Sequence, residues 1–289
     1  MKRKKYNKYP FILLFVIHIS LLLFTFIRKR EKKQLFVLLL TNMGFAYLFE
    51  YVILNIFQSY KYKPKIIKSR YLDNIFGAIL SQAVYIPFTS IFITGFNLGW
   101  KVKAFFVIYF NLIERLFIKL KVYQTNWWRP YFTTMLLPIY FTLSDKWYEH
   151  LKKGTPFVLL ISHFFSIMVT GVNIIYFVAL TGYFRFGRGL FHTWKEHFII
   201  APLYTITLSI FTTWSLQRTG WLGQARTLLF AICLDWLLYR SGTVKIKIRI
   251  PYLNVLIHIL MIFLSNQYNK LIYRNMNEKK ETVLIKKSR

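Results

Sequence analysis

An all-α bundle that crosses a membrane many times is the fold class this sequence predicts, and three observations predict it. The 289 residues are 55% hydrophobic with a mean hydropathy of +0.38, yet carry a formal charge of +30. The apolar residues gather into runs too long for the helices of a soluble core, and every backbone polar group inside a bilayer must be satisfied within a helix or a closed barrel. The charge sits between those runs, where Lys and Arg meet water and anionic headgroups. A soluble nucleic-acid-binding protein would place that charge on a folded hydrophilic face, and none is present. A disordered basic chain would lack the 29 Phe and 20 Tyr.

Since about 20 apolar residues span a hydrocarbon core, nine segments follow in order: 11–27, 35–58, 74–95, 100–120, 131–144, 156–180, 197–216, 227–239 and 252–265. The first follows Lys2 to Lys5 and Lys8 and ends at Arg28-Lys29-Arg30 without a small-residue cleavage site, so it reads as a retained span. Pro87, Pro138 and Pro202 lie within segments and predict kinks. Trp127, Trp128, Trp147, Trp194 and Trp221 fall at segment edges, where amphipathic rings anchor at headgroup level. Gly95 and Gly99 form a GxxxG spacing at a segment end, which reads as a turn. The connectors, such as Lys61-Tyr62-Lys63-Pro64-Lys65, read as polar loops. The lone Cys233 lies in an apolar run and reads as a small core residue.

If all nine segments cross, Lys and Arg divide almost evenly between the two sides. Withdrawing either 131–144 or 252–265 makes the bias decisive and puts both termini in the cytoplasm. The expectation is therefore about eight transmembrane helices with one short re-entrant or interfacial segment. Residues 1–267 are expected to form a single bundle, and 268–289 a basic cytoplasmic tail worth about 1 kcal/mol per surface cation on anionic lipid.

Charged residues at membrane depth are costly and face the bundle interior. Glu50 and Glu114 are the leading candidates for an ion or substrate path. Their segments run in the same direction, and at 1.5 Å per residue both carboxyls sit roughly 10 Å from the same membrane face, so they can meet. Asn111 lies on the preceding turn. Arg115, adjacent to Glu114, does not share its face. Asp235 lies near an interface, and His163 begins a stripe with Ser166, Thr170 and Asn173. Stripes of Asn42, Ala46 and Glu50, and of Asn74, Ala78, Ser81, Gln82, Tyr85 and Thr89, equally suit interhelical packing through small residues and hydrogen bonds.

His192 and His197 point away from each other on a helix, and the chain has no GxSxG, no GxxxxGK[ST] and no CxxC. No metal or cofactor is implied, and no catalytic motif. Arg28-Lys29 ahead of a segment with an internal acid, the basic loop Tyr60 to Lys65, Asp73-Asn74, Glu114 and Tyr123-Gln124-Thr125-Asn126-Trp127-Trp128 give residues 26–150 a pattern that resembles uncharacterised small multi-pass membrane proteins of spore-forming bacilli and clostridia. The resemblance implies a bacterial cytoplasmic membrane and no site residues. The expected role is a non-catalytic accessory or structural membrane component. The alternative is a cation- or proton-coupled transporter using Glu50 and Glu114. A third reading, an intramembrane lipid-modifying enzyme, rests on His163 and the edge histidines. An internal repeat would favour the transporter, and the two halves of the sequence show no clear match. Expected partners are anionic lipids and a membrane protein or second copy of the chain, not nucleic acid.

Overall fold

The computed structural model describes residues 7–217, 220–246 and 252–287, with side chains described as far as Tyr273. Among these residues there are nine helices: α1 Lys8–Arg28, α2 Lys32–Ile56, α3 Arg70–Gly95, α4 Trp100–Lys119, α5 Pro130–Lys153, α6 Pro156–Thr181, α7 Trp194–Leu216, α8 Gly220–Arg240 and α9 Leu253–Lys287. Seven are long and apolar enough to cross a membrane: α1, α2, α3, α6, α7, α8 and the Leu253–Tyr273 part of α9. The molecule is a multi-pass helical membrane protein. In α4 the residues Lys101, Lys103, Glu114 and Arg115 raise the charge too far for a span recognised by composition alone; in α5, Tyr, Thr and Pro dilute the apolar run.

The two segments expected to be short are not short elements. Segment 131–144 lies inside the 24-residue α5, about 36 Å long, and 252–265 opens the 35-residue α9. Their apolar runs are brief because polar side chains interrupt them, and some of those side chains face protein. Tyr140 on α5 donates from its hydroxyl to the Asn42 carbonyl at 2.9 Å, and Ser144 accepts from Asn42 at 2.9 Å. The tail expected from residue 268 is a continuation of α9 through Lys287.

The chain forms two compact units, Met1–Glu149 and His150–Arg289. In unit 1, α3 is the central helix, with α1 and α2 packed along it. The buried residues of α1, Phe11, Leu14, His18 and Thr25, form one stripe at helical spacing, and the opposite face leaves Leu13, Leu23 and Ile27 exposed as lipid-facing residues should be. In unit 2, α6 packs against α7 and α9, with α8 bridging α7 and α9. Helix α8 buries only Gly223, Thr227 and Ala231. Cys233, expected in a core, is exposed on that helix, because an apolar run gives no sign of which face turns to protein and which to lipid.

Four three-residue strands complete the structure. They are β1 Tyr60–Tyr62 and β2 Tyr123–Thr125 in unit 1, and β3 Phe184–Phe186 and β4 Val244–Ile246 in unit 2. Each pair is antiparallel, Tyr60 opposite Thr125 and Phe184 opposite Ile246. Unit 1 after α1 therefore runs helix, strand, helix, helix, strand, helix, and unit 2 repeats that order. The connectors read as loops contain these strands. A three-residue strand whose partner lies two helices away leaves no alternation long enough to read.

In unit 1 the β1 strand lies directly on α3 at Gly77, where a Cβ would come within 2.3 Å of Tyr62. The following loop is held by Asp73, whose carboxylate accepts from the backbone N–H groups of Lys65, Ile66 and Ile67, each at 2.8 Å. In unit 2, Thr193 caps α7 in a reciprocal box with Glu196.

Candidate functional site

Two helices of unit 1 widen at the site. A π turn, Tyr51–Ile56, follows Glu50 in α2, and another, Leu80–Tyr85, holds Gln82 in α3. The second precedes Pro87, whose missing N–H and ring would clash with an ordinary α turn behind it, and a widened turn relieves that clash. Single π turns change which side chains face the neighbour and occur often at functional sites. Here they bring Glu50 and Gln82 together: the Gln82 amide donates to Glu50 Oε2 at 3.1 Å. Tyr60, at the start of β1, donates its hydroxyl to the same oxygen at 2.5 Å. Burial, followed by the charge of Glu50, holds the Tyr60 phenol well above its ordinary range, so it stays a donor.

On the facing side, Glu114 from α4 accepts from the Thr133 hydroxyl of α5 at 2.5 Å through Oε2. Glu114 lines a cavity of about 350 Å³ within unit 1, and two residues of the same wall, Tyr60 and Gln82, hold Glu50. Of the two acids that the sequence reading paired, Glu114 lines the cavity and Glu50 does not. The remaining Oε1 of each, although buried, has no hydrogen-bond partner among the described residues. An unsatisfied buried acceptor is costly, and each of these oxygens can still accept from a donor.

The rest of the wall is aromatic. Tyr60, Tyr62, Tyr85, Tyr123, Tyr140 and Trp128 line the cavity. Tyr60 and Tyr62 have ring centroids 5.2 and 5.0 Å from that of Tyr123, so the strand pair β1–β2 closes one side of the cavity with phenol rings packed at a tilt. Burial raises the Tyr62 and Tyr123 phenols well above their usual value, and both glutamates add to that. Trp128, expected to anchor at a membrane interface, is buried in this wall instead, 5.5 Å from the Tyr60 ring. Helix α1 contributes Phe11 and Leu14, pinned by the Tyr85 hydroxyl, which donates to the Phe11 carbonyl at 2.8 Å.

The other residues singled out from sequence lie elsewhere. Asn111 donates to Thr134 at 2.8 Å and accepts from Arg115 at 2.8 Å, both on the outer side of α4, and neither lines the cavity. Their role is to tie α4 to α5. His163 is fully buried in α6 with its Nε2 at 3.1 Å from the Ser265 carbonyl, a helix-to-helix contact of unit 2. Asp235 accepts from the Tyr204 hydroxyl at 2.6 Å and pairs with His258 Nε2 at 2.9 Å. Asn42, in a stripe read as packing, donates to Ser90 and Ser144. His192 and His197 contact the Gly242 carbonyl and the Phe186 N–H, respectively.

Tyr60, Gln82 and Thr133 were not evident as site residues. Tyr60 lies in a basic connector, and Gln82 and Thr133 are single polar groups in apolar runs. Only Gln82's place in a polar stripe marked a face, and nothing marked Glu50 as its partner. A further buried pair, Lys103 with Asp145, also lies between apolar runs that separate its members by a whole helix. Compared with protein-family models, curated proteins and solved structures, the chain matches none.

Proposed function

We propose that this protein is a carrier of the bacterial cytoplasmic membrane, with about eight crossings and both termini inside, that takes a small organic cation with an apolar body into the unit-1 cavity. One observation carries the reading: Glu114 leaves a buried oxygen unpartnered on the wall of an aromatic-lined cavity, and Tyr60 and Gln82 of the same wall hold a second glutamate, Glu50, that also keeps one. Carboxylates attract an ammonium group, aromatic faces attract it through their quadrupole, and apolar walls hold its organic part. A metal ion would suit this wall less well, since the only acid among its lining residues is Glu114 and most of the rest is apolar or aromatic. Tyr60, Gln82 and Thr133 fix the paired oxygens and so orient the free ones.

Protons and the organic cation compete for the Glu114 carboxylate, which makes transport proton-linked and makes binding weaken as pH falls. Phenethylammonium is a suitable probe. Isothermal titration with purified protein should show one saturable site. Glu50→Gln and Glu114→Gln should each weaken it about 10- to 100-fold, the range of a lost charge-assisted hydrogen bond. Uptake into proteoliposomes should fall in the same variants and release protons in the native protein. Absence of saturable binding in folded protein would remove the carrier reading.

The accessory-component reading has its own support in the hydrogen bonds from Asn42 to Ser90 and Ser144, which join three helices of unit 1 without a ligand. It gains if no cation binds and a membrane partner or a second copy of the chain co-purifies. In either reading the basic connectors and tail meet anionic lipid.

A further inference from the structure

The geometry points to a second copy of the cation site in unit 2, already filled by the chain's own His258, which makes the residue at this position on the closing helix the determinant of whether a unit is open to ligand. It goes beyond the carrier reading and rests on it only for the class of ligand.

The duplication stands on several independent matches. Both units follow the order helix, strand, helix, helix, strand, helix, with the same antiparallel register. The first strands read aromatic, basic, aromatic: Tyr60-Lys61-Tyr62 and Phe184-Arg185-Phe186. In each, the N–H of the third residue donates to a side chain near the start of the next helix, Tyr62 to Asn74 at 2.6 Å and Phe186 to His197 at 3.1 Å. Those helices begin after Ser69 and Thr193. The third helices open with Gly99-Trp100 and Gly220-Trp221. Glu114 and Asp235 then fall at the same spacing before the second strand.

Each acid lines a cavity bounded by its unit's own strand pair, with Tyr60 and Tyr62 in unit 1 and Phe184 and Phe186 in unit 2. In both, the closing helix donates to the acid: Thr133 of α5 to Glu114, His258 of α9 to Asp235. The difference lies in what remains. Glu114 keeps a buried oxygen without a partner, and Glu50, held by the wall residues Tyr60 and Gln82, keeps another. Asp235 has donors on both oxygens, Tyr204 and His258, and Ile174 and Ile175 line the wall from the first helix with no acid among them. The cavity shrinks with this, from about 350 Å³ in unit 1 to about 90 Å³ in unit 2. The imidazole tethered to α9, with the Tyr204 hydroxyl, thus closes the acid of unit 2 on both oxygens, whereas Thr133 closes only one oxygen of Glu114.

The test removes the tethered group and offers it back in solution. Imidazole binding is measured by isothermal titration on the purified full chain, as wild type, His258→Ala, and His258→Ala with Asp235→Asn. The expected result is one additional bound equivalent in His258→Ala relative to wild type, lost again in the double variant. No additional equivalent in folded His258→Ala, or one that survives Asp235→Asn, overturns the proposal. Thermal unfolding in detergent reports whether the variant is folded, and His258→Ser, which keeps a small hydroxyl like Thr133, serves if the alanine variant is not. The readout is a difference from wild type, so it separates the two readings. A gained site with no phenethylammonium binding in wild type leaves the duplicate site standing and removes the carrier, whereas wild-type binding without a gained site does the reverse.

Discussion

Glu50 and Glu114 were legible as residues because a carboxylate inside an apolar run has few structural excuses. Their partners were not, since a hydroxyl or an amide in a helix gives no sign of which acid it will meet. The Lys103–Asp145 pair shows the same limit from the other side. Each looked like an ordinary charge near a segment end, and the fold buries the Lys103 side chain to 11% exposure against Asp145, which also accepts from Thr94 at 2.6 Å. Asp145→Asn leaves that cation without a counter-charge and should destabilise unit 1 by about 3 kcal/mol, read as a fall in thermal stability in detergent. Replacing both members with apolar residues, Lys103→Met with Asp145→Leu, should recover all but about 1 kcal/mol, because no uncompensated charge is left. Equal loss in the single and double variants would show that shape, not charge, sets the cost. Gly77→Ala tests packing alone: the added Cβ meets Tyr62 beside the cavity, and the variant should lose about 1 to 3 kcal/mol and weaken phenethylammonium binding.

At the scale of elements, helix positions follow from apolar runs, and the nine segments correspond to the nine described helices. The widened turns do not follow so directly. Pro87 announced a kink, and the structure resolves it as a π turn at Leu80–Tyr85 that rotates Gln82 toward Glu50. Pro87→Ala should let an ordinary α turn form there. Helicity by circular dichroism should hold, while phenethylammonium affinity falls several-fold as Gln82 turns away; unchanged affinity would show that Gln82 does not orient Glu50. The cap of α7 is a local matter. Thr193→Ala removes a hydroxyl that accepts from the Glu196 N–H at 3.3 Å and should cost about 1 kcal/mol. A loss confined to unit 2, seen as faster hydrogen exchange in α7 and β3 with unit 1 unchanged, is the expected pattern.

At the scale of the molecule, every residue lining the larger cavity lies between Phe11 and Leu143, within unit 1. A chain ending at Lys153, where α5 stops before Gly154 with φ of 74°, should therefore insert and bind phenethylammonium within a few-fold of the full chain. Failure to bind, with the fragment folded, would place part of the site outside unit 1. The repeat of six elements was invisible as sequence identity. Matching positions keep physical character instead, an aromatic pair around a base in the first strand and an acid at a set distance before the second, while lipid-facing residues drift freely among Leu, Ile, Phe and Val. Unlike the matched sites, α1 has no counterpart in unit 2, and it is α1 that adds Phe11 and Leu14 to the larger cavity.

By itself the sequence determined the class of fold, the places of the helices and the two acids at membrane depth, because hydrocarbon solvent imposes length and polarity limits that act residue by residue along the chain. The pairing of strands separated by two helices, the division into two units, the closing of one acid by His258 and the opening of the other onto an aromatic cavity were decided only by tertiary structure. Those features depend on which faces of equally apolar helices meet, and in a membrane hydrophobicity does not distinguish a face packed on protein from one packed on lipid.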